Sequence, residues 1–126
     1  MNVSPEQMRT WQNWVCYAAD DSTNRQETLM SGRPQAVAII KIDEPHVRVT
    51  EFRFAPGAET GWHRHEYDYV VVPLLDGRLQ LEEPGGTSRV AELRTHQPYT
   101  RLAGVEHNVI NANSFEFAFL EVEHLP

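Results

Sequence analysis

Beyond Gln35 the apolar residues recur at every second position, and turn-forming residues interrupt them at roughly 8–12-residue spacing. This constrains the chain more than any other feature. A sequence broken so often cannot build long helices, so it must bury many short, half-apolar strands against one another in a β-sandwich or barrel. Strands are expected over 36–42, 46–54, 67–75, 78–82, 88–93, 99–103, 107–110 and 115–122. Within 46–54, Phe52 and Phe54 alternate with Glu51 and Arg53, so the phenylalanines are expected inside and Arg53 outside. Phe115, Phe117 and Phe119 repeat at period two and read as core or as the apolar wall of a pocket. Asp76-Gly77 is a strong hairpin signal, and Glu83-Pro84-Gly85-Gly86 marks another turn. Ahead of this region the pattern is helical. Ser4 is placed to cap, Pro5 suits the first turn, and Met8, Trp11, Val15 and Ala18 follow at helical spacing beside Trp14.

The 126 residues fit a single domain, with a helical arm over 1–34 and a β-barrel over 35–126. The arm carries two tryptophans whose apolar face needs covering, which favours a homodimer. Eighteen acidic residues against eleven basic ones give a net charge of −7. That balance opposes binding to nucleic acid or to an anionic membrane, because both need a basic surface. No apolar run approaches the roughly 18–20 residues that span a bilayer. The opening MNVSPEQMRT has neither the charge nor the apolar stretch of a secretory signal. The lone Cys16 excludes an intramolecular disulfide and reads as a small buried hydrophobe. A cytoplasmic protein is the expectation.

Six histidines stand against that one cysteine. His63 and His65 are two apart, so on a strand both imidazoles point to one face while Trp62 and Arg64 point to the other. Paired imidazoles of this kind supply the first two ligands of a metal. An isolated pair is weak evidence, but its context is more specific. Five residues separate Gly57 from His63; two separate Gly104 from His107, and Asn111 follows after three more.

In these residues the chain resembles the cupin superfamily. Gly57, His63, His65 and Gly77 stand where the first cupin motif has its glycine, its histidine pair and its closing glycine. Gly104, His107 and Asn111 match the second motif. The resemblance implies an all-β, double-stranded β-helix (jelly-roll) barrel and a metal site formed by His63, His65 and His107. The chain also departs from the family pattern. The glutamate of the first motif falls at Tyr69 or Val70, His96 replaces a glycine and Leu102 a proline. Pro73 lies inside a predicted strand, where it marks an edge or a bulge, and a bulge would absorb the extra residue before Gly77. Inward parity with the histidines matches Tyr69 to the glutamate position, whereas Asp68 takes that place only if the chain bulges before it. The run from Gly57 to Pro73 resembles small bacterial single-domain cupins, some of them named as β-alanine degradation proteins. That name supplies a pathway, not a reaction.

Three neutral imidazoles leave a bound dication's charge near +2 unless Tyr69 ionises. A site of that sign suits a small anionic or enolisable ligand able to chelate, such as a carboxylate or β-dicarbonyl. Three-histidine cupins include the thiol dioxygenases and a diketone-cleaving dioxygenase, which use ferrous iron. The resemblance therefore puts iron first among divalent transition metals, with zinc, nickel, manganese and copper also compatible with imidazole. The leading reading is a metal-dependent enzyme, oxygenase-like, acting on a small organic acid. A non-catalytic metal or small-molecule binding or sensing module is the alternative, and a barrel with vestigial histidines is a third reading. Tyr69 is the candidate catalytic residue, as ligand or as donor beside the metal, against its plain reading as a packed barrel aromatic. Tyr67 is inward by parity at the cavity entrance. Asn111 is expected to fix a turn, Glu59 and Glu66 to be solvated loop carboxylates, and His46, His96 and His124 to be surface residues. Arg48, Arg53 and Arg101 are each within reach of a pocket.

Overall fold

The computed structural model describes residues 32–126. The helix expected over 4–18, with Trp11, Trp14 and Cys16, lies outside the described residues, and so does the arm on which the dimer expectation rested. The described residues form nine strands: β1 (Val37–Glu44), β2 (Val47–Phe54), β3 (His63–Arg64), β4 (Tyr69–Pro73), β5 (Gly77–Glu83), β6 (Thr87–Leu93), β7 (Tyr99–Arg101), β8 (Glu106–Asn111) and β9 (Phe117–His124). They build two antiparallel sheets, ordered β1-β2-β9-β4-β7 and β3-β8-β5-β6. Chain neighbours repeatedly sit in opposite sheets, as a double-stranded β-helix requires.

Alternation along each strand decides what faces in. On β2, Thr50, Phe52 and Phe54 are buried and Arg53 is exposed. Opposite them on β9, Phe117 and Phe119 pair with Phe54 and Phe52. The Phe52 and Phe119 rings stack at 5.4 Å between centroids, and Phe54 meets Phe119 at 5.6 Å. These rings, with Val71, Leu79, Leu81, Leu93 and Val109, form the core between the sheets. Arg53 instead pairs outside with Glu51 (2.5 Å) and Glu116 (2.7 Å).

Several expectations need correction. Asp76-Gly77 does not close a hairpin, because β4 pairs with β7 and β9 while β5 pairs with β6 and β8. The turn carries the chain from one sheet to the other, and the Asp76 carboxylate accepts from the Thr95 amide across it at 2.8 Å. Gly77 is needed there for space: a Cβ on it would stand 2.6 Å from Cε1 of Phe117. The Glu83–Gly86 turn does close a hairpin, joining β5 to β6 through Gly85 and Gly86, both at positive φ. No bulge occurs at Pro73. The register from Tyr69 to Pro73 against β9 is continuous, and Pro73 ends β4 beyond its last pairing with β7. The extra residue is taken up in the connection that follows, and the register shift lies instead in β1, between Ile40 and Ile42. Phe115 precedes β9 and is 46% exposed, so it is not core.

Candidate metal centre

The short β3 was not expected as a strand, but its pairing places the site. His63 lies directly opposite His107 on β8. The pairing continues past the strand, with the His65 amide donating to Val105 O and the Gly104 amide donating to His65 O. Gly104 turns the chain into β8 at φ +95°, a conformation that favours glycine. The three imidazoles therefore arise from two adjacent backbones, and alternation turns all of them inward. His63, His65 and His107 are buried, whereas Trp62, at 52% exposure, and Arg64 face outward.

The Nε2 atoms converge. His63 Nε2 lies 3.1 Å from His65 Nε2, which lies 3.1 Å from His107 Nε2. One ligand atom from each residue lies within 4.8 Å of the others. A metal about 2.0–2.1 Å from two imidazole nitrogens, at an angle of about 90–110°, holds them roughly 2.9–3.4 Å apart. The two close separations fall in that range. Nδ1 of His63 sits 2.9 Å from Gly61 O and 3.3 Å from Thr60 Oγ1. As the donor to Gly61 O, Nδ1 carries the proton and leaves the Nε2 lone pair directed at the centre. Burial favours the uncharged, metal-binding form. It lowers the His63 pKa to about 4, against a raising effect from Gly61 O. Burial first, then the neighbouring His63, Arg101 and Arg89, lowers His107 to about 2. His65 is pushed far below its ordinary range by burial and by the charges of His63, His107 and Arg101.

The setting behind His63 is polar and closed. Asn108 Oδ1 accepts from the Gly61 amide at 2.9 Å, and its Nδ2 donates to Glu59 (2.8 Å) and Glu82 (2.9 Å). Arg33 pairs with the same Glu59 at 3.1 Å. Glu59 is 7% exposed, so it is a buried structural carboxylate rather than a solvated one. Asn111 fixes the turn into β9 as expected, donating to Phe54 O, Ala55 O and Phe115 O. Glu66, His46, His96 and His124 are exposed. His96 takes φ +59°, the left-handed conformation suited to the glycine of the cupin motif.

Tyr69 faces inward and Asp68 does not. The Tyr69 ring stacks on His65 at 3.9 Å between centroids and 16° between planes, while Asp68 is exposed and accepts from the Ala103 amide. Burial and the charge of Glu121 push the Tyr69 phenol above its ordinary range, with Arg101 pulling the other way. That balance opposes a phenolate ligand. Tyr67 is half-buried and does not line the cavity, whereas Arg101 does. The cavity is small, about 20 Å³ of free volume, and Thr60, His63, His107, Tyr69, Tyr99, Arg101 and Glu121 supply its polar lining. Phe52, Val71, Leu79, Leu81, Val109 and Phe119 form the apolar wall. Sequence reasoning missed Tyr99 and Glu121. The signal for Glu121 was present, because carrying the parity of Phe117 and Phe119 one step further puts it inside.

Two antiparallel sheets wound as a double-stranded β-helix, with three inward histidines on adjacent backbones, define a cupin. No family model matches the chain. It is 63% identical over 94 residues to the Beta-alanine degradation protein BauB of Pseudomonas aeruginosa, covering 75% of this chain and 98% of that protein. The chain belongs to this family of small bacterial cupins of the β-alanine degradation type. A cupin domain from Bordetella pertussis Tohama I superposes with a TM-score of 0.72 at 53% identity, covering 75% of this chain and 97% of that one. A conserved double-stranded β-helix protein from Klebsiella pneumoniae gives a TM-score of 0.60 at 18% identity, over 71% and 76% of the two chains, and speaks for the fold alone. Among the described residues, no helix is long and apolar enough to cross a membrane.

Proposed function

We propose that the protein is a metal-dependent enzyme acting on a small organic acid, with a divalent transition metal held by His63, His65 and His107 and iron as the first expectation. The observation that carries this reading is the convergence of three buried Nε2 atoms beside a small cavity that His63 and His107 help to line. When bound, the metal supplies Lewis-acid charge and open coordination positions for substrate. The chain's own residues do the rest. Gly61 O and Thr60 orient His63, and the stacked Tyr69 ring holds the plane of His65. The apolar wall keeps water sparse around the reacting groups, which strengthens every polar contact a substrate makes there. Tyr69 keeps its proton, so it acts as a hydrogen-bond donor beside the centre.

Metal analysis of the purified, untagged chain by mass spectrometry tests this directly. Intact sites of this kind retain their metal, so close to one equivalent is expected, and less than about a tenth of an equivalent overturns the reading. Iron supports the oxygenase reading, whereas zinc or nickel counts against it. His107→Ala is expected to lose the metal while the barrel stays folded. Metal retained at full stoichiometry in that variant would remove His107 from the ligand set. A metal-loaded protein that binds small acids and turns none of them over would be the binding or sensing module.

A further inference from the structure

The cavity carries three polar groups that nothing among the described residues satisfies. Arg101, on β7, is half-buried, and its guanidinium forms no ion pair or hydrogen bond with the described residues. The Tyr69 hydroxyl has no hydrogen-bond partner among the described residues, and Tyr69 lies directly across the ladder from Arg101. Oε2 of Glu121, a residue only 4% exposed, also has no partner among the described residues, and Glu121 lines the same cavity. Buried polar groups in folded proteins are nearly always satisfied, so two unsatisfied ones beside a half-buried guanidinium around a single cavity point to something that enters it. Two of the three are donors, and one of these is a permanent cation. What fits them is an acceptor with negative charge and at least two lone-pair directions.

We propose that Arg101 and the Tyr69 hydroxyl form the carboxylate anchor of this cavity, gripping one end of a small organic acid whose other end reaches the three histidines. This rests on the reading of the cavity as a metal-dependent site and adds the residues that select the ligand. A guanidinium fork matches the two oxygens of a carboxylate, and an adjacent phenolic O–H donates to the same group. The electrostatics agree. Three uncharged imidazoles give no compensation to a dication, and Arg101 adds a further positive charge to the same cavity. Glu121 would oppose an anion if ionised. Burial, reinforced by Glu123, raises its carboxyl well above the ordinary range, which favours the uncharged acid. The cavity therefore favours one anionic group beside Arg101, and a ligand without it leaves the guanidinium unpaired.

The test compares propionate with propionamide, which share a shape and differ in charge, by isothermal titration against the full-length, metal-analysed protein. Propionate is expected to bind at least about tenfold more tightly, the factor lost when a charge-assisted hydrogen bond is removed. Arg101→Gln is expected to abolish that preference with metal content unchanged, Arg101→Lys to restore part of it, and Tyr69→Phe to weaken propionate several-fold. Equal binding of acid and amide, binding of neither, or an Arg101→Gln variant that keeps the preference would each overturn the proposal. Thermal melting of each variant separates lost recognition from lost fold, and the acid-to-amide comparison on the unaltered chain does not depend on any variant. Arg101-dependent propionate binding by a metal-free protein would uphold the anchor and sink the metal-dependent reading. Bound metal with no charge preference would do the reverse.

Discussion

Asn108 ties together three parts of the setting behind His63. Its Oδ1 accepts from the Gly61 amide, whose carbonyl in turn orients His63, and its Nδ2 bridges Glu59 and Glu82. In Asn108→Ala the bond to the Gly61 amide costs about 1 kcal/mol, and the bond to the buried Glu59 carboxylate about 1.5–3 kcal/mol. The Glu82 side chain is 38% exposed and regains water, so its share is small. Arg33 still pairs with Glu59 at 3.1 Å, which caps the loss by keeping that carboxylate compensated. The total is about 3 kcal/mol, a large part of the ~5–15 kcal/mol that holds a domain together. Asn108→Asp matches the native side chain more closely in shape but is expected to be worse. It keeps the acceptor for Gly61 and sets a second carboxylate oxygen against those of Glu59 and Glu82, where a donor had been. Urea denaturation of the metal-loaded chain and both variants measures the order, expected as native, then Ala, then Asp. Metal affinity is expected to fall about tenfold in the Ala variant, because Gly61 no longer holds His63 in place, and less in the Asp variant, which keeps that bond. An Asp variant as stable as the Ala variant, or an Ala variant within 1 kcal/mol of native, would refute the reasoning.

Two further predictions follow from the same geometry. The buried histidines make the metal-stripped protein acid-sensitive. An unfolded imidazole titrates near 6.5, whereas His63 is lowered to about 4 and His107 to about 2. Between those values the unfolded chain binds protons that the folded chain does not. Stability from this source is therefore complete above about 6.5 and falls as the pH drops toward 4. Urea midpoints measured in chelator should decline between pH 7 and 5, and less steeply in His107→Ala; equal slopes would contradict the assignment. Gly77→Ala is expected to cost about 1–3 kcal/mol, since its Cβ would meet a fully buried Phe117 ring at 2.6 Å and 2.7 Å. A melting temperature unchanged by that substitution would count against the close packing.

Much of the barrel was legible because period-two alternation reports sheet faces directly. It placed Phe52 and Phe54 inside, Arg53 outside, and His63, His65 and Tyr69 facing the interior. What it lacked was information on pairing. Asp76-Gly77 has the chemistry of a hairpin turn whether its flanking strands pair with each other or with others, and only long-range contacts decide which. β3 is two residues long and too short to leave a periodic signature, yet its pairing with β8 sets His63 against His107. Glu59 read as a loop carboxylate because its partners Arg33, 26 residues away, and Asn108, 49 residues away, are distant in the chain. Glu121 was masked by a preference for apolar residues at inward positions. Parity placed it inside, and composition argued that it should not be there.

That conflict is informative. Along the paired β2 and β9 the interior changes character in steps: Phe54 faces Phe117, Phe52 faces Phe119, Thr50 faces Glu121, and Arg48 faces Glu123. One end of the barrel is an aromatic seal, and the other is polar and ionisable, with Thr50, Glu121 and Glu123 just as buried and Arg48 partly exposed. Apolar residues at positions 69 and 121 would satisfy the fold better, because each unsatisfied buried polar group costs about 1–3 kcal/mol. A chain with one small core and no disulfide has little stability to spare. The polar groups kept at that end therefore reflect a requirement other than folding. They surround the cavity whose floor is the histidine cluster, which is where a ligand would satisfy them. The net charge of −7 sums the whole chain and says nothing of how charge is arranged around this cavity. Inside, the permanent charge at the cavity wall is the guanidinium of Arg101, so the sign of a preferred ligand is set by the barrel's contents and runs opposite to what the whole chain's charge suggests.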